Sequence, residues 1–224
     1  MSNIFFPLAS FLIAEFAFGF GAAKLFKKNK PLYLQILVCA AGCFALQQLS
    51  YMVNIWCDVT STVSIGMFGI FGCNFFLLSA NFGTLDKIVD DCNESDQSRA
   101  QARARACAVI APIVMAVLAI LTFLTRKNED MFCAVMWLVM LIPALPASYF
   151  NLKHILLPMD PSELLRTTKP CNLAALAFYI VTAVYAIFSK TAGSTITGIL
   201  CVAMSCSILA LSLCAVRGAK KWGI

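Results

Sequence analysis

Charged residues are scarce in this chain. Only 12% of its 224 residues are Asp, Glu, Lys or Arg, whereas 61% are hydrophobic. Soluble domains carry about 25% charged residues and fewer apolar ones. The composition therefore excludes an ordinary soluble protein and predicts an all-α integral membrane protein.

Motifs for metal binding and catalysis are also missing. The chain has a single histidine, His154, and no CxxC or HExxH sequence. Structural zinc and haem sites are built from such ligands, so we predict no metal, no other cofactor and no enzymatic activity. His154 falls between two predicted spans, and we interpret it as an interfacial residue.

The eleven cysteines do not form a disulfide framework in this interpretation, because most lie within apolar segments. In those segments we interpret them as small packing residues. Cys57 and Cys133 alone lie near the predicted outer surface, which leaves two alternatives open for them: free thiols or one external disulfide.

Apolar segments fill almost the whole chain. Seven of them are long enough to cross a bilayer core of roughly 30 Å. They cover residues 4–23, 32–54, 62–85, 106–124, 131–150, 171–189 and 194–216. We therefore expect residues 1–224 to form one seven-helix transmembrane bundle without a separate soluble domain. The first segment lacks a basic leader, so we expect an uncleaved helix.

The basic residues predict the orientation. With the N-terminus outside, fourteen of the seventeen Lys and Arg residues lie on the cytoplasmic side, and only Arg126, Lys127 and Lys190 face out. Because cytoplasmic loops are enriched in these residues, we predict that the C-terminus is cytoplasmic. The net charge of +6 then reflects topology, and no nucleic-acid partner is expected. A bacterial cytoplasmic membrane is the default localisation, with the lipid bilayer as the first partner.

The third span has three different flanks when its residues are placed on a helix. Small residues form the first flank: Gly66, Gly69, Gly72, Cys73, Ser79, Ala80 and Gly83. The second flank carries Asn74 and Asn81, and the third carries Phe68, Phe71, Phe75 and Phe82. Small residues let a neighbouring backbone approach, asparagines need polar partners, and phenylalanines can face lipid. We therefore predict that this helix lies at the centre of the bundle.

Glu15 is the only acidic side chain inside a predicted span. An ionisable group near the bilayer midplane costs at least ~2.5 kcal/mol on insertion scales, so it is a functional candidate. A glutamate that only locks helices together is the alternative. Gln47, Asn74, Tyr179 and Ser205 fall at a similar depth, as a ligand site within a bundle or a hydrogen-bonded core would require. The predicted binding site for a small molecule, proton or lipid comprises Glu15, Gln47, Asn74, Tyr179 and Ser205.

Prolines and caps predict local features of the second half. Pro143 and Pro146 should kink the fifth span and free backbone carbonyls, and the aliphatic fourth span should face lipid or act as a spacer. Asp160 and Pro161 read as the start of a short amphipathic helix on the inner membrane surface. It would bear Leu164 and Leu165.

The longest hydrophilic stretch covers residues 86–105, from Asp86 to Arg105. It is either a solvated loop or the docking site of a cytoplasmic protein. Ser95 or Asp96 could begin a helix that continues into the fourth span.

Two parts of the chain are similar in layout. Lys30-Pro31 precedes the second span and Lys169-Pro170 the sixth, with Gly66 and Gly198 early in the spans that follow. Two three-helix units joined by a fourth helix resemble the plan of the SWEET sugar transporters, which have parallel repeats. The chain has no proline–glutamine dipeptide, and it is not assigned to that family.

These patterns favour a small transporter or permease-like bundle in which Glu15 changes protonation. Two alternatives stay open. One is a seven-helix membrane sensor or receptor that signals through a separate cytoplasmic partner, and the other is a structural subunit of a membrane complex.

Overall fold

The computed structural model describes residues 4–27, 30–57, 66–85, 98–128, 130–157, 163–189 and 193–221. These residues form helices and no strand. The α-helices are α1 (Phe5–Leu25), α2 (Leu32–Trp56), α3 (Met67–Ser79), α4 (Ser98–Ala108), α5 (Ile110–Arg126), α6 (Met131–Leu141), α7 (Ala144–Leu156), α8 (Glu163–Phe188) and α9 (Ser194–Lys221). A π-helical segment, Ala80–Leu85, continues α3.

Six helical stretches are long and apolar enough to cross a membrane, which confirms the prediction of a multi-pass membrane protein at this level. They are Phe5–Leu25, Leu32–Trp56, Gln101–Arg126, Met131–Leu156, Thr168–Phe188 and Thr195–Ala219. The third predicted span corresponds to a shorter apolar helix, Met67–Phe82.

The helices pack as a ring of neighbours. Helix α1 lies between α2 and α9, α9 packs on α8, and α8 packs on α7. Helix α3 closes the ring by contacting α2 on one side and both α6 and α7 on the other. Helix α5 packs outside this ring against α6, α7 and α8. In the core, the rings of Phe44 on α2 and Phe178 on α8 meet edge to face at 5.3 Å.

The three flanks of α3 are confirmed in their contacts. On the small flank, a Cβ added at Gly69 would lie 2.5 Å from the Cys43 carbonyl oxygen of α2. On the aromatic flank, Phe68, Phe75 and Phe82 are exposed. The prediction that α3 is central is wrong, because a helix with one face open to the surroundings lies in the ring rather than inside it.

Prolines divide two of the long stretches. Pro112 lacks an N–H for the Ala108 carbonyl, and the helix is interrupted at Val109 between α4 and α5. The fifth predicted span is interrupted at Ile142 and Pro143, between α6 and α7. The kink expected from Pro143 is therefore confirmed as a break in the helix.

The surface of α5 matches its aliphatic sequence, since Ile113, Val117 and Ile120 are exposed. This confirms that the fourth span faces outward from the bundle. The helix predicted to start at Ser95 or Asp96 is described from Ser98 onward, and its expected first residues lie outside the described part.

Leu164 and Leu165 belong to α8, which runs as one helix of 26 residues with Pro170 inside it. The prediction of a separate amphipathic helix is therefore wrong. Helix geometry continues through Pro170 even though its ring removes one backbone donor. The predicted cap, Asp160 with Pro161, lies outside the described residues.

Candidate functional site

The first member of the site is Asn74 on α3, which is fully buried. Its Nδ2 donates to the Met140 carbonyl oxygen at 2.9 Å. Met140 lies just before the break at Pro143, where the regular helix pattern stops and carbonyls need other donors. The acceptor that this buried asparagine uses therefore lies beside the break between α6 and α7.

The second member is Asn81, which is the second residue of the π-helical segment and is also buried. Its Nδ2 donates to the Leu77 carbonyl oxygen at 3.1 Å. A change from α- to π-helical pairing shifts the backbone hydrogen bonds by one residue, which leaves a carbonyl to be satisfied. The side chain of Asn81 satisfies it locally.

Asn81 also joins α3 to α7. Its Nδ2 donates to Asn151 Oδ1, and its Oδ1 faces His154 Nδ1 at 3.1 Å. Both Asn151 and His154 are fully buried. The result is a hydrogen-bonded chain from an imidazole through one amide to a second amide.

Tyr179 approaches this chain from α8. Its hydroxyl lies within hydrogen-bonding range of the Asn151 side chain, although the two groups do not meet strict hydrogen-bond geometry and no other described residue does so. We call Asn81, Asn151, His154 and Tyr179, together with Asn74 about two helical turns earlier on α3, the amide cluster.

Three polar atoms in the amide cluster are buried without a hydrogen-bond partner in the described part of the chain. They are Asn74 Oδ1, Asn151 Nδ2 and the Tyr179 hydroxyl. Native proteins pair the great majority of such atoms, so each unpaired one calls for an explanation such as a bound water or ligand. The amide cluster therefore has unused hydrogen-bonding capacity inside a bundle.

A second group of polar residues lies between α1, α2 and α9. The Ser10 hydroxyl donates to the Cys201 carbonyl oxygen at 3.1 Å and lies 2.7 Å from Ser205 Oγ. The Cys201 thiol faces Ser10 Oγ at 3.2 Å and Gln48 Oε1 at 3.7 Å. Gln48 Nε2 donates to Gln47 Oε1 at 2.9 Å. We call Ser10, Gln47, Gln48, Cys201 and Ser205 the hydroxyl cluster.

The structure separates the five predicted site residues. Asn74 and Tyr179 belong to the amide cluster, whereas Gln47 and Ser205 belong to the hydroxyl cluster. Glu15 belongs to neither cluster and is half-buried on α1 beside the exposed side chains of Leu12 and Phe16. It makes no hydrogen bond or ion pair with any residue that the structure describes. Its role stays a prediction.

Arg126 is a buried cation beside the last turn of α8. Its Nε donates to the Ala186 carbonyl oxygen at 2.8 Å and its Nη2 to Ser189 Oγ, while the guanidinium lies 5.3 Å from the centre of the Trp137 ring. Ala186 is in the last turn of α8, where carbonyls lack helical partners and cations are favoured. Arg126 therefore caps α8 and links it to α5.

The sequence interpretation missed Asn151 and His154 as site residues. His154 was assigned to a loop at the membrane surface, but it lies within α7 and is fully buried; that assignment is wrong. Asn151 precedes His154 by three residues, so both share one helix face. This spacing was the available signal.

The two cysteines considered for an external bridge, Cys57 and Cys133, are free thiols. Cys133 Sγ instead accepts from Arg126 Nη1 at 3.4 Å.

Comparison with protein-family models, curated proteins and solved structures finds no match to this chain.

Proposed function

We propose that this chain is a small permease-like protein whose ligand binds at the amide cluster. The observation that carries the proposal is a set of buried polar atoms on three helices, in Asn74, Asn151 and Tyr179, that lack a partner of strict hydrogen-bond geometry among the described residues. A buried polar atom without a partner costs about 1–3 kcal/mol, which a bound solute would offset.

The helix geometry around the amide cluster supports movement of a ligand through it. The break at Pro143 and the π-helical segment Ala80–Leu85 both adjoin the cluster. Interrupted helices near the bilayer midplane are a common way to build transporter sites, and π segments often occur at functional positions.

The proposal includes seven crossings with the N-terminus outside. Helix α3 and its π-helical extension cover 67–85, or roughly 28 Å at 1.5 Å per residue, which is close to the bilayer core. In this topology α3 and α7 both run inward, so Asn81 and Asn151 reach the same depth in the cytoplasmic half. Their hydrogen bond is what that arrangement requires.

The test first measures whether the purified protein retains a ligand and then whether it transports that ligand. The protein is purified in lipid nanodiscs, and native mass spectrometry shows whether a small molecule stays bound. We expect a retained molecule that is lost in Tyr179→Phe. Tyr149→Phe is the matched control, because Tyr149 lies on α7 against Phe150 and outside the amide cluster. The retained molecule is then loaded into proteoliposomes, where accelerated efflux distinguishes a permease from a sensor that only binds.

Glu15→Gln decides between the two placements of the site. With the ligand at the amide cluster, retention and flux should both be unchanged, because Glu15 makes no bond to that cluster. Loss of retention in Glu15→Gln would place the site on α1, as the sequence alone predicts, and would overturn the proposal.

A further inference from the structure

A regular pattern of residues runs along the outer side of α1. Its members alternate in spacing between three and four residues: Phe5, Leu8, Leu12, Glu15, Gly19 and Ala22. Residues at this spacing form one stripe on a helix, and the same spacing forms the contact between two parallel helices that supercoil around each other. We call these six residues the heptad face of α1.

The heptad face points away from the bundle. Phe5, Leu8 and Leu12 are 71%, 41% and 56% exposed. Gly19 is exposed as well, and a Cβ added to it would meet nothing within 4 Å. Helices α2 and α9 pack against the other side of α1, where Ala14 and Ala17 are buried. The described part of the chain therefore leaves the heptad face open to lipid.

Glu15 lies at the middle of this face, because α1 runs from Phe5 to Leu25. It makes no hydrogen bond or ion pair with any described residue. A charged carboxylate is very costly in hydrocarbon, so the group keeps its proton there. A neutral carboxyl still carries one O–H donor and a carbonyl oxygen that accepts. Glu15 therefore needs a hydrogen-bonding partner that lies inside the membrane.

A second copy of the chain meets this need by symmetry. Two copies that insert in the same orientation are related by a two-fold axis along the membrane normal, so equivalent residues meet at the same depth. A two-fold contact must be self-complementary. A neutral carboxyl has this property, since each of two such groups can donate its O–H to the other. A basic side chain from a different protein lacks it.

The rest of the heptad face suits the same contact. Gly19 lies one turn from Glu15 and has no side chain, so two backbones can approach closely enough for the carboxyl groups to meet. The face extends from Phe5 to Ala22, or roughly 26 Å at 1.5 Å per residue, which is most of the bilayer core. One polar residue in an otherwise apolar heptad contact also fixes the register of the two helices.

We propose that this chain forms a parallel two-fold dimer through the heptad face of α1, in which the two Glu15 carboxyl groups bond to each other across the axis. The dimer contact lies on the outside of the bundle and does not depend on a ligand at the amide cluster.

The dimer is tested by counting copies in lipid. The full chain carries one fluorophore at its C-terminus and is reconstituted into liposomes at decreasing protein-to-lipid ratios. Single-molecule photobleaching counts the chains in each liposome, and the dependence on dilution gives the dissociation constant of the dimer. We expect two-step bleaching in excess of chance co-occupancy for the wild type, with a shift to single steps on dilution.

Two variants of Glu15 assign the contact to its hydrogen bonds. Glu15→Leu should raise the dissociation constant about tenfold, because it removes both interhelical hydrogen bonds. Glu15→Gln should leave the constant within about threefold of the wild type, since an amide also donates and accepts. Neither change removes a contact within one copy, and circular dichroism should show the same helix content in all three proteins.

A variant of Gly19 tests the close approach. Gly19→Leu should raise the dissociation constant at least about tenfold, because the added side chain holds the two backbones apart. The matched control is Gly193→Leu. A Cβ at Gly193 also meets nothing within 4 Å, but this glycine lies outside the heptad face, so its variant should dimerise like the wild type.

Three outcomes would overturn the inference. Single-step bleaching of the wild type at every dilution would show that a second copy is not the partner of this face. A dimer with the same constant in Glu15→Leu and Gly19→Leu would use a different surface. Equal weakening in Glu15→Gln and Glu15→Leu would contradict the pair of hydrogen-bonded carboxyl groups.

Discussion

The amide cluster and the hydroxyl cluster are both buried and polar, yet they differ in how completely their atoms are paired. In the hydroxyl cluster, Ser10 both donates to the Cys201 carbonyl and lies within hydrogen-bond distance of Ser205. In the amide cluster, Asn74, Asn151 and Tyr179 have atoms without a partner of strict hydrogen-bond geometry among the described residues. Small hydroxyls and a thiol can pair among closely packed helices, whereas an amide carries more donors and acceptors than a helix contact supplies.

This difference separates two uses of polarity inside a bundle. A network whose atoms are paired holds helices together and specifies their arrangement. A network with unpaired atoms is incomplete until water or a ligand enters. Mutations in the two clusters should therefore have different consequences for stability and binding.

The largest effect is expected for Asn81→Leu. It removes the hydrogen bonds that Asn81 makes with Leu77 O, Asn151 Oδ1 and His154 Nδ1 inside the bundle. We expect a loss of about 3 kcal/mol in the free energy of unfolding together with loss of ligand retention. Unfolding in mixed micelles with a denaturing detergent measures the first quantity. A loss below that of Ser10→Ala would show that the amide chain does not support the fold.

Gly69→Ala tests whether close packing, rather than polar pairing, holds α2 and α3 together. The added Cβ would lie 2.5 Å from Cys43 O and 2.6 Å from Gln47 Cβ, so the helices must separate. We expect about 2 kcal/mol of destabilisation in the same micelle assay. Gly19→Ala is the control, because nothing lies within 4 Å of its added Cβ. Equal losses of stability in Gly69→Ala and Gly19→Ala would contradict this account of the contact between α2 and α3.

Ser10→Ala should cost less, about 1 kcal/mol, because single hydrogen bonds between membrane helices contribute little. The hydroxyl cluster loses the link from α1 to Cys201 and Ser205, and ligand retention should stay at the wild-type level. Stability comes from detergent unfolding and retention from native mass spectrometry. Loss of the ligand in Ser10→Ala would show that the ligand binds at the hydroxyl cluster and not at the amide cluster.

Tyr179→Phe has the smallest expected effect on stability, and its sign distinguishes the clusters. The hydroxyl is buried and has no partner of strict hydrogen-bond geometry among the described residues, so removing it should leave the free energy of unfolding unchanged or raise it by up to about 1 kcal/mol. In Ser10→Ala, by contrast, removal of a paired hydroxyl should lower the free energy of unfolding. Detergent unfolding without ligand makes the comparison, and marked destabilisation by Tyr179→Phe would mean that its hydroxyl is paired in the folded protein.

Part of the site could be predicted from spacing. The seven-residue interval between Asn74 and Asn81 placed both on one face of a helix, and both are buried. Pro143 indicated a break and unpaired carbonyls, and the Met140 carbonyl beside that break accepts from Asn74. These predictions succeeded because helix periodicity and the missing proline donor act within a few residues.

Long-range pairing could not be predicted in the same way. Depth alone grouped Glu15 with Tyr179 and Ser205, because a linear sequence gives the level of a residue in the membrane but not the direction in which its helix face points. His154 was placed at the surface for a related reason: one polar residue near the end of an apolar segment does not reveal whether another helix covers it.

Composition and periodicity by themselves determined that this is an all-helical, multi-pass membrane protein, since apolar length and helix period are local properties of the chain. They also determined the three flanks of α3. Only the tertiary structure decided which helices those flanks meet, which polar side chains pair and which remain unpaired. These outcomes depend on the rotation of each helix about its own axis, which the packing of the whole bundle sets.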